Sequence, residues 1–146
     1  PYVVRTSINN GIRGYINEDE QFLNDANTIS FGQDTATMFY QEKPYFTGDK
    51  IKIVKSRDNF FNKKNALFFI ATMTKSFSSF SWGGSSFNVN IIKEQPIKIP
   101  IINKKPDYET METIILAINK LIIKDVVIYL EKKKKELNRI NENANA

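Results

Sequence analysis

Thr28-Ile29-Ser30-Phe31-Gly32-Gln33-Asp34-Thr35-Ala36-Thr37-Met38-Phe39-Tyr40 reads as two strands, Thr28–Phe31 and Ala36–Tyr40, around a turn at Gly32-Gln33-Asp34. β-branched and aromatic residues fill both arms, while Gly and Asp supply the turn chemistry between them. Upstream, Tyr2-Val3-Val4-Arg5-Thr6-Ser7 has the same character, and Asn9-Asn10-Gly11 behind it is a tight-turn signal. Gly11 to Asn17 then returns as the partner strand. Asn17 to Asn27 is acidic and polar, hence a loop; Glu18, Asp19 and Glu20 lack the alternating spacing and Gly of a calcium loop and read as solvated. Downstream, Lys50-Ile51-Lys52-Ile53-Val54-Lys55 alternates basic and apolar residues, which predicts one buried face and one presenting Lys50, Lys52 and Lys55. The first half of the chain is therefore β.

The second half changes period. Lys63 to Phe77 is a helix capped by Asn62, with Leu67, Phe68, Ile70, Ala71 and Thr74 as its apolar stripe. A loop dense in hydroxyls and aromatics follows from Ser76 to Asn88, then an extended segment from Lys93 to Ile101 kept at an edge by Pro96 and Pro100. From Pro106-Asp107 onward the pattern is one long helix, with Glu109 and Glu112 near its N-terminal dipole end and a frayed end over Asn141–Ala146. Its first half, Met111 to Ile123, is apolar nearly all round and is expected to pack on its own domain. Its second half narrows to Ile123, Val126, Leu130, Leu137 and Ile140, interrupted by Lys133, which is a seam that calls for another helix. The fold expected is α/β of the α+β kind: a curved, mostly antiparallel sheet with one internal helix and a long C-terminal helix. Residues 1–105 form the domain, and 106–146 the spacer and docking helix.

With 146 residues, the chain fits one domain. It lacks an initiator Met and the n- and h-regions of a secretory signal, so a fragment or trimmed chain working in the cytoplasm is expected. No run of 18 apolar residues exists, which excludes a membrane span by a helix. Cys and His are both absent. That closes disulfides, Cys nucleophiles, Ser–His pairs and the usual zinc sites, so no metal or cofactor is expected, and a catalytic chain would have to work with carboxylates, Lys, Tyr or hydroxyls alone.

The net charge of +5 is unevenly spread. Residues 1–42 hold 2 basic against 6 acidic groups, residues 43–105 hold 12 against 3, and residues 106–146 hold 7 against 7. The middle of the chain thus has the excess a polyanion-facing surface requires. Lys132 to Lys135, flanked by Glu131 and Glu136, reads instead as a solvated helix face. Lys63, Lys64 and Lys75 on the internal helix are phosphate-contact candidates. Small polar side chains on the glycine-bearing loop after it can reach base edges: Ser85, Ser86 and Asn88, with Ser81 and Trp82 positioning the loop. The first hairpin adds Arg5, Asn9, Asn10 and Arg13, since Asn and Arg are the main readers of adenine and guanine. Two rivals stand beside this reading: a small endonuclease using Asp49 or Asp34 with a divalent ion, and an assembly module whose helix matters and whose loops do not.

Arg5-Thr6-Ser7-Ile8-Asn9-Asn10-Gly11-Ile12-Arg13-Gly14-Tyr15-Ile16 resembles the opening hairpin of target-recognition domains in restriction–modification systems. Ile29 to Gly32, Thr37 to Asp49, Asn65 to Thr72, Ile97 to Pro100 and Pro106 to Glu112 are similar to successive segments of that family. The likeness is to the BcgI-like class, akin to type I specificity subunits, and covers Pro1 to about Tyr129. It implies a double-stranded DNA reader that gives specificity to a separate methyltransferase or nuclease subunit or domain. It implies no catalytic residue here, and no Asn/Asp-Pro-Pro-Tyr/Phe methyltransferase motif is found. It also implies long helices that hold recognition domains together, which gives the seam at Ile123, Val126, Leu130, Leu137 and Ile140 a second copy or a partner's helix to meet. The family often has a basic residue near Gly83-Gly84-Ser85, where this chain is small and polar.

Overall fold

The computed structural model describes residues 1–78 and 89–144. Strand β3 (Thr28–Gly32) is buried along its whole length because it is central, with β4 (Met38–Gln41) on one side and β6 (Ile51–Val54) on the other, both antiparallel. Strand β1 (Tyr2–Val3) pairs antiparallel with β2 (Ile12–Gly14) and parallel with β5 (Phe46–Thr47) in a second three-stranded sheet. A third, two-stranded sheet joins β7 (Ile101–Ile102) and β8 (Lys105–Pro106) through Asn103 and Lys104, both at positive φ. The strands are mostly antiparallel and the class is α+β, but the sheet is divided rather than continuous.

The turn of the first hairpin is where the sequence places it. Asn9 and Asn10 take φ of 50° and 54°, values that short side chains able to bond their own backbone tolerate best. Gly11 follows at φ +78°, and a Cβ there would stand 3.0 Å from the Phe39 ring. The strands on either side are shorter than their propensities imply. β1 ends at Val3 because the chain turns back on itself there, with Thr6 N–H donating to the Val4 carbonyl at 2.9 Å.

Helix α1 (Lys63–Phe77) has the expected bounds and cap. Asn62 Oδ1 accepts from the backbone N–H groups of Lys64 and Asn65, and Asn65 Oδ1 accepts from Asn62 N–H, closing a capping box. Its buried face differs from the one expected. Ala66, Met73 and Phe77 enter the core with Ile29, Phe31, Met38 and Phe61, and Phe77 meets Phe31 edge-on with ring centroids 5.7 Å apart. Of the expected stripe, Ile70 packs against this core and Phe68 is half-buried, while Leu67, Ala71 and Thr74 are exposed. Strand β6 also departs from its alternation: Ile51 is half-buried, whereas Ile53 and Val54 join Lys52 at the exposed edge.

A second, one-turn helix, α2 (Val89–Lys93), stands immediately before the stretch expected to be extended. The compact unit spans Pro1–Glu112, and Thr113–Ala146 forms a second unit. Helix α3 (Tyr108–Ala144) starts as expected, with Asp107 accepting from both the N–H and hydroxyl of Thr110, and continues as helix beyond the expected frayed point at Asn141. Its apolar first half is less buried than expected. Met111 is fully buried, but Ile114, Leu116, Ile118, Leu121, Ile122 and Ile123 are exposed. So are Val126, Leu130, Leu137 and Ile140, each more than half accessible. Among the described residues no helix is long and apolar enough to cross a membrane.

Candidate functional site

Hairpin β1–β2, strand β4 and helix α1 enclose an open groove of about 540 Å³. Asn10, Ile12 and Tyr15 line one wall, Tyr40 to Lys43 the floor, and Lys63, Leu67 and Ile70 the other wall. The groove therefore unites two sequence candidates, Asn10 and Lys63. Leu67, exposed on α1, lines this groove beside Ile70, which packs against the core.

The hairpin tip is held by a chain of polar bonds that runs from the surface into the core. Gln41, nearly inaccessible, donates through Nε2 to the Asn10 carbonyl at 3.0 Å and to Ser30 Oγ at 3.1 Å. Asn10 Nδ2 donates in turn to the Tyr40 carbonyl at 3.0 Å, and Asn9 Nδ2 closes the turn on the Ile12 carbonyl at 2.9 Å. Both asparagines thus have a structural task, and among the described residues neither Oδ1 accepts a hydrogen bond. Arg13 has no such tie. It is exposed, as is Tyr15 two residues on, and residues two apart in an extended chain share a face.

The cations divide into two groups. Arg5 and Lys50 both pair with Asp34, Lys55 pairs with Asp25, and Lys63 pairs with Glu42. The hydrogen bond from Lys50, then the charges of Lys50 and Arg5, hold the Asp34 carboxyl below its ordinary value. The hydrogen bond to Glu42 likewise raises Lys63. Arg13, Lys64 and Lys75 make no ion pair among the described residues, so their charge is uncompensated locally. Lys63 and Lys64 sit on the first turn of α1 and Lys75 on its last, roughly 18 Å away along the axis. Lys75 borders a separate groove of about 480 Å³ with Phe68, Ala71, Thr72 and Lys98. Ser81, Trp82, Ser85, Ser86 and Asn88 lie outside the described residues.

Asp34, one candidate for a metal-dependent nuclease, is already engaged by two cations. Among the described residues, no three His, Cys, Asp or Glu side chains are placed to hold a metal ion. Sequence reasoning missed Tyr15, Gln41 and Lys43. An exposed aromatic at alternate spacing from Arg13 was the available signal for Tyr15; Gln41 and Lys43 become visible only when β4 is placed beside the hairpin.

Together these elements form a surface suited to recognition: a braced hairpin tip, a groove, and cations on a capped helix that make no ion pair among the described residues. A family model described as the type I restriction modification DNA specificity domain matches residues 1–127. The chain belongs to that family. It is also similar to the specificity subunit S.BcgI of a type II restriction enzyme from Heyndrickxia coagulans, at 28% identity over 120 residues. That alignment covers 81% of this chain and 35% of the relative, so the chain spans about a third of the relative's length. No solved structure matches it.

Proposed function

We propose that this chain reads a double-stranded DNA sequence for a restriction–modification system, working in the cytoplasm, and that a separate methyltransferase or nuclease subunit or domain performs the chemistry. The observation that carries this is the specificity-domain match across residues 1–127, which includes every candidate contact residue. Arg13 is the described residue best suited to base readout, being exposed, unpaired and mounted on a strand anchored at both ends; Arg bonds guanine in a bidentate fork. Ser85, Ser86 and Asn88 are further readers, with Ser81 and Trp82 placing their loop. Lys64 and Lys75 contact phosphates. Arg5 and Lys63 join them only when DNA competes with Asp34 and Glu42, so their contribution to affinity is smaller. Asn9 and Asn10 act chiefly by shaping the hairpin.

The exposed stripe of α3 at Ile123, Val126, Leu130, Leu137 and Ile140 pairs with another helix, from a second copy or from the partner subunit. A stripe of that length is not left in water without reason. Selection from random duplex DNA tests the reading, followed by the same selection with Arg13→Ala. The expected result is an enriched motif that loses information at one position in the variant.

A further inference from the structure

Between Gly14 and Glu42 the chain contains no Lys or Arg but six acids: Glu18, Asp19, Glu20, Asp25, Asp34 and Glu42. Cations from elsewhere neutralise three of them, through Lys55 on Asp25, Arg5 and Lys50 on Asp34, and Lys63 on Glu42. Glu18, Asp19 and Glu20 have no cationic partner among the described residues. Within this segment the negative charge without an ion partner is thus concentrated on one loop. That loop also exposes large apolar side chains, Ile16 at 44% and Phe22 at 59%, with Leu23 beside them.

Ile16, Glu18 and Phe22 line an open groove of about 620 Å³ together with Tyr2, Asn24 and Phe46. The loop has a defined conformation. Asp19 caps a single 3-10 turn over Glu20–Phe22 by accepting from Gln21 N–H at 3.0 Å and Gln21 Nε2 at 2.9 Å. Behind it, the Asn24 and Tyr45 backbones bond to each other in both directions. A groove lined by both acidic and apolar side chains and held in place by these bonds is a docking surface made ready in advance.

We infer that this groove receives a partner protein through a basic segment bearing an aliphatic or aromatic anchor. Its acids complement such a segment and repel phosphates, so the loop faces away from DNA. The inference rests on the proposed function, under which that partner is the catalytic subunit. Ile16 and Phe22, both exposed and both lining the groove, supply the apolar contact, and Glu18 to Glu20 supply the steering charge.

The test uses the chain, the methyltransferase subunit of the same system and duplex DNA carrying the selected motif. Ile16→Ser with Phe22→Ser removes the apolar contact, and Glu18→Lys with Glu20→Lys inverts the charge. All four positions are exposed, and circular dichroism with thermal melting verifies that both variants fold. Each double variant is expected to weaken association with the subunit by roughly tenfold or more in sedimentation velocity. The serine variant should bind the motif as wild type does, and added salt should weaken the wild-type association more than that of the lysine variant. Unchanged association in both variants overturns the inference, as does a wild-type chain that reads DNA but does not bind the subunit. Loss of DNA binding in the serine variant places the loop on the DNA face and overturns it too. Wild-type self-association abolished by the serine change would make a second copy the occupant, contrary to the inference. Failure of the wild-type chain to select any motif is a different outcome, and refutes the underlying DNA reading.

Discussion

Asn10 separates shaping from reading. Its backbone sits at φ 54°, and its amide donates to the Tyr40 carbonyl at 3.0 Å. Replacement with Ala forces a residue with a Cβ and no compensating local bond into the left-handed region, costing about 1 kcal/mol or slightly more. It also deletes one neutral hydrogen bond at an exposed site, about 0.5–1.5 kcal/mol. The sum is about 2 kcal/mol of folding stability. Gly at the same position removes the bond but relieves the backbone, so Asn10→Gly should cost about 1 kcal/mol less than Asn10→Ala. Urea unfolding with a common slope measures both differences. The Gln41 bond to the Asn10 carbonyl is made by backbone and survives in each variant. If Ala and Gly destabilise equally, or neither does, the argument from conformation and bonding is refuted. Selection from random DNA then tests the other role: a stable Gly variant that keeps the full motif has lost only a brace.

Lys64→Ala should weaken binding to every duplex alike and lower the slope of log affinity against log salt by about one, whereas Lys63→Ala should lower it less because Glu42 already holds that charge; titrations at several salt concentrations read both. Leu130→Lys with Leu137→Lys should leave the domain folded and abolish any self-association seen in sedimentation, since both side chains are exposed. Asp34 and Asp107 have carboxyls held below the ordinary value of 3.8, the first by the Lys50 hydrogen bond and the second by the Thr110 hydroxyl. Their stabilising contribution is complete above pH of about 3.8 and disappears as pH falls through the lowered values. Asp34→Asn should accordingly flatten the acid limb of stability measured by urea unfolding between pH 5 and pH 2.

Local chemistry made some elements legible to the residue. Asn62 announces the start of α1, Asn9-Asn10-Gly11 the hairpin tip, and Pro106-Asp107 the start of α3. The buried face of α1 was not legible, because Ala66 through Ala71 are all apolar and a 3.6-residue period cannot choose among them. One-turn α2 is too short to show any period, and it stands close to Pro96. The ion pairs that divide the cations were hidden for another reason: Arg5 and Asp34 are 29 residues apart, and Lys63 and Glu42 are 21 apart. Only the tertiary fold shows which lysines are already neutralised. The groove itself has the same origin, since its walls come from three separate parts of the chain.

Selection of the purified chain on a pool of random duplex DNA, sequenced over successive rounds, tests the central claim most directly. A specificity domain predicts one enriched motif, bound more tightly than scrambled duplex at the same salt concentration and degraded at one position by Arg13→Ala. Binding of all duplexes with equal affinity, and no enrichment after repeated rounds, would contradict it.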